Sequence, residues 1–425
     1  MLHFKNKFNF IFLLIFVFSF LFSVSSVSAE WSANFASGKK NWRGITSSAD
    51  GENVAAVVYD GYIYTSSNGG DTWVARNSMG QKKWWSISSS ADGTKLVAGE
   101  AGGYLYFSGD SGVTWIPQIS AGSQKWISVA VSPDGSSFVA GTQEDYLYKN
   151  DISNLTSGGS WTKITSIGKK NWLDISFAND NTVVAGAYLD FLYISYDKGS
   201  SWTPLSSAGS KRWNTVVVSS NVNKILAGGA NETPMQLSLN SGNTWSQVTA
   251  ESFWHYSFMS NDGNKMVALA PNSNPEHSDN GGVTWFAHNI KKDWRGLAAS
   301  ADGSKMFATT FSDYIYVFDA PSFPPTLSLS ATPTNVPYNI PTSLSWTTTN
   351  ATGCVATGGW TGNKSAQGSE FSKLLKEETT FTLKCTGTGG TIEESVTVTV
   401  NPQAPVVNIS ASPISVQSGS STNLT

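Results

Sequence analysis

Trp84-Trp85-Ser86-Ile87-Ser88, Ala91-Asp92-Gly93, Lys95-Leu96-Val97-Ala98-Gly99, Tyr104-Leu105-Tyr106-Phe107-Ser108 and Thr114-Trp115 follow one another within a single short passage. Short apolar or alternating runs are separated by Gly, Asp and Ser turn signals, and no run holds a helical period. The passage recurs along the chain. Fourteen of the 17 Trp fall into two registers. One is Trp42, Trp84, Trp126, Trp172, Trp213, Trp254 and Trp294, at steps of 42, 42, 46, 41, 41 and 40. The other is Trp31, Trp73, Trp115, Trp161, Trp202, Trp245 and Trp285.

Four short strands per repeat at this spacing describe a β-propeller blade, and Gly and Ser are too frequent for the helices of a solenoid. The seventh unit, Trp294 to Phe318, holds three strands before the chain leaves at Asp319-Ala320-Pro321. Trp31 to Phe35 matches the absent fourth strand. The expected fold is therefore all-β, with a seven-bladed propeller over residues 30–320 closed by its N-terminal strand. Closure leaves no sheet edge exposed.

Composition narrows the function. Only 13% of the 425 residues are charged and the formal net charge is −3, against about 25% charged in an average domain. Disordered charged tails, coiled coils and nucleic-acid binding by bulk positive charge are excluded. Residues 1–29 read as a signal peptide: Lys5 and Lys7, an apolar run from Ile11 to Phe22, and Val27-Ser28-Ala29 before Glu30. That run is too short for a comfortable span, which needs about 20 residues. The expectation is an exported monomer, secreted or on the cell envelope, with no stable membrane span after cleavage.

The turn before the last strand is Ser-Gly-Asp-Ser-Gly-Val-Thr-Trp at 108–115, with good copies ending at Trp73, Trp202, Trp245 and Trp285. It resembles the Asp-box, or bacterial neuraminidase repeat, of sialidases, sortilin-like receptors and photosystem II assembly factor-like propellers, over residues 31–319. In this reading Asp110, Asp197 and Asn280 hold a turn, with Gly supplying positive φ and Trp packing on the blade. Enzymes and binding proteins share the box, so it leaves function open.

Sialidases resemble this chain in repeat but need three arginines and an Arg-Ile-Pro motif; here the nearest string is Tyr338-Asn339-Ile340-Pro341. Arg43, Arg212 and Arg295 flank first-register Trp and could form a convergent anion clamp. No nucleophile motif, phosphate loop or metal-spaced His or Cys cluster occurs, and no catalytic residue, metal or cofactor is assigned. His255, His277 and His288 read as single turn or surface residues. Two patterns remain. Lys40, Lys83, Lys125, Lys170, Arg212 and Lys292 precede first-register Trp, and with Arg43 and Arg295 they would form a basic collar at the axial mouth. Asp145, Asp190 and Asp313, with Asp60, Glu100 and Glu144, occupy loops expected on the same face. The fifth and sixth units break the repeat at Pro234-Met235-Gln236-Leu237 and Asn274-Pro275-Glu276-His277, the expected place for specificity.

Phe323-Pro324-Pro325 marks a linker, placed at 321–325. Residues 326–402, with Trp346, Cys354 and Cys385, resemble a bacterial Ig-like sandwich with one disulfide, free thiols being the alternative. From 403 to 425 the pattern restarts as a truncated second module. The expected function is non-enzymatic binding or adhesion, the propeller face taking an extracellular glycan, acidic ones included, or a surface protein, and no nucleic acid. The alternative is an extracellular glycoside hydrolase using loop carboxylates.

Overall fold

The computed structural model describes residues 30–424 apart from 152–154, 156–158, 231–232, 250–252, 320–324, 350, 352, 388–389, 403–404, 406, 413–414, 416 and 422. The expected signal segment and most of the expected linker lie outside the described residues.

Period-2 apolar runs broken by Gly turns give antiparallel hairpins. In the second unit Lys82–Ser89, Leu96–Gly103, Leu105–Ser108 and Ile116–Gln118 pair in chain order. Six further units repeat that pattern. The seventh contributes Lys292–Ala299, Lys305–Thr310 and Ile315–Asp319. Its fourth strand is Ser32–Asn34, which pairs antiparallel with Ile315–Asp319 in the register Ser32↔Val317, Ala33↔Tyr316 and Asn34↔Ile315. The first strand of each unit packs on the first strand of the next, and that of the seventh packs on that of the first. The units form a closed ring.

The core lies between units. All seven first-register Trp are fully buried. Trp84 packs with Val57 and Ile63 of the preceding unit, Trp172 with Val139 and Leu147, and Trp42 with Phe307 and Ile315 of the seventh. Trp31 seals the closing strand, 5.7 Å from Trp294 and 5.4 Å from Phe318. On one rim the turns between first and second strands bond unit to unit. Ala49 N–H donates to Ala91 O (2.7 Å), Ala91 to Pro133 O (2.9 Å), and Ala301 back to Ala49 O (2.8 Å).

The Asp-box turns are structural. Asp110 Oδ1 accepts from Thr114 N–H at 2.8 Å and from Ser108 Oγ at 2.8 Å, and Trp115 Nε1 donates to Gly112 O at 3.0 Å. Gly112 has φ +82°, a conformation that costs other residues a steric penalty. Burial works to raise the Asp110 carboxyl, but these bonds hold it below the usual carboxylate range. Asp197 and Asn280 make the same bonds to Ser201 and Thr284.

The C-terminal module has two sheets. One contains Thr326–Thr332, Ser343–Thr349 and Gln367–Phe371; the other is built around Gly353–Gly358, Thr379–Gly387 and Gly390–Asn401. Trp346, Trp360, Phe381 and Leu383 fill the space between. Cys354 and Cys385 form a disulfide. They are direct partners on neighbouring strands of one sheet, so the bond staples a ladder rather than the two layers.

Because the interface between the seventh and first units is built like the others, Trp42→Ala and Trp84→Ala should be equally damaging. Each loses a fully buried Trp, about 3–5 kcal/mol. Denaturant unfolding of the whole chain checks this; a mild effect at Trp42 alone would mean an open ring.

Candidate ligand site at the axial mouth

The first strands of the seven units enclose an axial cavity of about 770 Å³. The residue after each first-register Trp lines it: Arg43, Trp85, Ile127, Leu173, Asn214, His255 and Arg295. Tryptophan points into the interface, so the next side chain on the strand points to the axis. The ring of seven is lopsided. His255, Arg295, Arg43 and Trp85 come from consecutive units and form a cationic, aromatic sector, with Ile127 and Leu173 among the residues opposite.

The Arg43 guanidinium lies 3.6 Å from the Trp85 ring centroid. It has no carboxylate partner among the described residues, and burial, then the neighbouring Arg295, lower its pKa against the pull of Tyr256 and Asp293. Arg295 bonds Asp293 at 2.7 Å and lies 5.4 Å from the Phe311 ring, with Nε buried and unpartnered. His255 is pushed down to about 4 by burial and by Arg295 and Arg43, so it is neutral at pH 7; its Nε2 is also buried and unpartnered.

Among the described residues the wall carries one acidic side chain, Asp174. It accepts from Ile175 N–H (3.0 Å), Val216 N–H (2.8 Å) and Thr215 Oγ1 (3.1 Å), tying the fourth unit to the fifth. Burial outweighs these bonds and raises its pKa to about 6.

The lysines and loop acids, read from the sequence as two separate patterns, largely bind one another. Lys170 pairs with Asp190, whose carboxyl also accepts from Tyr193. Lys292 pairs with Asp313 at 2.9 Å, and Tyr316 donates to the same carboxylate. Lys82 lies 3.5 Å from Glu100, and Lys169 and Lys163 flank Asp145 at 3.1 and 3.8 Å. Burial would raise Asp190, Asp313 and Asp145, but the ammonium and hydroxyl partners hold all three below the ordinary range. Arg212 stacks on Tyr188, 5.0 Å from its centroid, and does not join Arg43 and Arg295. Lys83 and Lys125 are exposed, without an ion pair among the described residues. Lys40 donates to Ser37 O at 2.9 Å.

The histidines are not isolated. His277 and His288 stack with centroids 4.6 Å apart beside Phe318, and burial followed by His277 lowers His288 to about 4. Among the described residues no cluster of three or more His, Cys, Asp and Glu could hold a metal. Trp85, Asn214, His255 and Asp174 are the site residues the sequence reading passed over; reading the position after each first-register Trp finds the first three.

No family model and no curated protein matches the chain. A solved structure, "YCF48 bound to D1 peptide", superposes with a TM-score of 0.54 at 13% identity, covering 68% of this chain and 96% of that one. YCF48 is a photosystem II assembly factor. The ring is a β-propeller. At that identity the likeness is one of fold, and the propeller's ligand must be argued from its own residues.

Asp174 gives the propeller a pH signature. Between about pH 4 and 6 the native carboxyl keeps a proton that the unfolded chain has released, so unfolding releases protons and this group's contribution falls as pH rises. The loss is at most about 3 kcal/mol. Asp174→Asn should flatten the stability profile over that window relative to the parent, measured by denaturant unfolding at several pH values.

Proposed function

We propose that the chain is an exported, non-enzymatic binding protein, a seven-bladed propeller closed by its N-terminal strand and carried on Ig-like modules. It holds an anionic ligand, glycan or surface protein, at the axial mouth. One observation carries this reading: Arg43, partly buried beside Arg295, faces the cavity without a carboxylate of its own. Asp293 is paired with Arg295, which leaves the neighbouring Arg43 guanidinium short of negative charge, and a buried charge lacking its partner is costly. An incoming anion supplies it, and Trp85 adds an aromatic platform for a sugar ring or a side chain. Export rests on the signal segment and on the disulfide, which persists in oxidising compartments.

The hydrolase alternative draws less support. Glycoside hydrolysis needs two carboxyls about 5–10 Å apart, and on the described cavity wall Asp174 stands alone, engaged by backbone donors. Asp145, Asp190 and Asp313 are held by lysine and tyrosine.

Arg43→Gln and Arg295→Gln should each weaken binding of an acidic polysaccharide or acidic peptide about tenfold, while Lys83→Ser with Lys125→Ser changes it little. Calorimetric titration at 0.15 and 0.5 M salt measures this, higher salt weakening the parent. Full affinity in Arg43→Gln would reject the site.

A further inference from the structure

The hairpin register aligns the units residue by residue. Opposite first-register Trp stand Val58, Glu100, Thr142, Ala187 and Thr310 in the first, second, third, fourth and seventh units. Three residues later come Gly61, Gly103, Asp145, Asp190 and Asp313, and three later again Tyr64, Tyr106, Tyr148, Tyr193 and Tyr316. In the third, fourth and seventh units the acid binds lysine and the tyrosine hydroxyl (2.9, 3.2 and 3.0 Å). The second unit has Gly103 there, but Glu100 reaches into the space: a Cβ on Gly103 would run into Glu100 Oε2. That carboxylate accepts from Tyr106 at 3.2 Å.

The first unit keeps the lysine and the tyrosine and lacks the acid. Lys40 Nζ stands 4.9 Å from the Tyr64 centroid. Its pKa is lowered by burial, and the Tyr64 hydroxyl has no hydrogen-bond partner among the described residues. Val58 occupies the approach, its Cγ1 2.6 Å from a Cβ on Gly61. A cavity of about 500 Å³ opens at this place, walled by Lys40, Gly61, Tyr64, Tyr59 and Tyr62. Asp60 is also on the wall and makes no ion pair among the described residues, while Lys39 turns to Asp313 at 3.6 Å. Tyr59 meets Trp85 edge to face at 6.1 Å, and so links this cavity to Arg43.

We propose that the first unit is a carboxylate subsite for a uronate residue of an acidic saccharide. The sugar carboxylate enters from the open cavity and meets Lys40 and the Tyr64 hydroxyl, the counterparts of the groups that hold Asp190 and Asp313, while Val58 fills the space that an acidic side chain at Gly61 would use. The pyranose ring lies among Tyr59 and Tyr62, a space larger than a lone acidic side chain would use. The saccharide then continues over Trp85 to Arg43 and Arg295; that continuation alone rests on the function proposed above.

The test is calorimetric titration of the full chain with a galacturonate hexamer, and with a glutamate hexapeptide as competitor. Val58→Ala with Gly61→Asp copies the fourth unit's Ala187 and Asp190 and supplies an internal carboxylate. It should weaken the hexamer about tenfold, as should Lys40→Gln, which carries the test if the double variant does not fold. An unchanged Lys40→Gln beside a weakened Arg43→Gln overturns the subsite and leaves the axial site standing. The reverse pattern keeps the subsite and removes the axial reading. Stronger binding of the peptide than of the hexamer overturns the saccharide, and binding of neither overturns the proposal.

Discussion

Each first-register Trp is buried against the unit before its own, and the rest of the molecule depends on that displacement. A single four-stranded unit leaves its first-register Trp uncovered, because that side chain is buried only where the preceding unit packs on it. Adding units repeats the deficit at a new edge. Only a ring removes it, and Trp42 against Phe307 and Ile315 is the interface at which the deficit ends. The axial cavity follows from the same geometry. A strand that sends Trp outward into an interface sends its next residue to the axis, so the site is written in the positions that packing leaves unclaimed.

Charge on the rim obeys a similar economy. Exposed ion pairs such as Lys39 with Asp313 contribute little to stability, yet they decide which charges are available to a ligand. Where the hairpin supplies an acid, the lysine is occupied twice, by the carboxylate and by the tyrosine face. Where it does not, as at Lys40, or where the one nearby acid is taken by another cation, as Asp293 is by Arg295 beside Arg43, a charge is left over. Counting basic residues overstates the free charge of this face: among the described residues Lys83 and Lys125 are unmatched but exposed to water, whereas Lys40 and Arg43 are unmatched and part-buried.

The tryptophan registers and turn residues made the units, the closing strand and the structural role of Asp110 legible from sequence, because all are local or periodic. The pairing of Lys170 with Asp190 was not legible, since the two lie 20 residues apart and meet only through a register set by the bulge after Trp172. His277 and His288 read as solitary for the same reason: His277 lies on Glu276–Ser278 and His288 directly follows the paired strand Phe286–Ala287, beyond the Asp-box turn. The disulfide partners were legible, with only two Cys in the chain, but their position within one sheet was a matter of register. Asp174 carried no signal at all, being one of many scattered acids until the fourth and fifth units are brought together.

The strand that leads out of the propeller, Ile315–Asp319, is not an edge strand. It lies between Lys305–Thr310 and the closing strand Ser32–Asn34. Tension applied through the C-terminal module is therefore delivered to a strand held on both sides, and extraction must break two hydrogen-bonded ladders together. Trp31, locked against Trp294 and Phe318, adds a bolt at the same place. A propeller built this way resists being opened from its C-terminal end, because the load meets two ladders in parallel rather than one free edge.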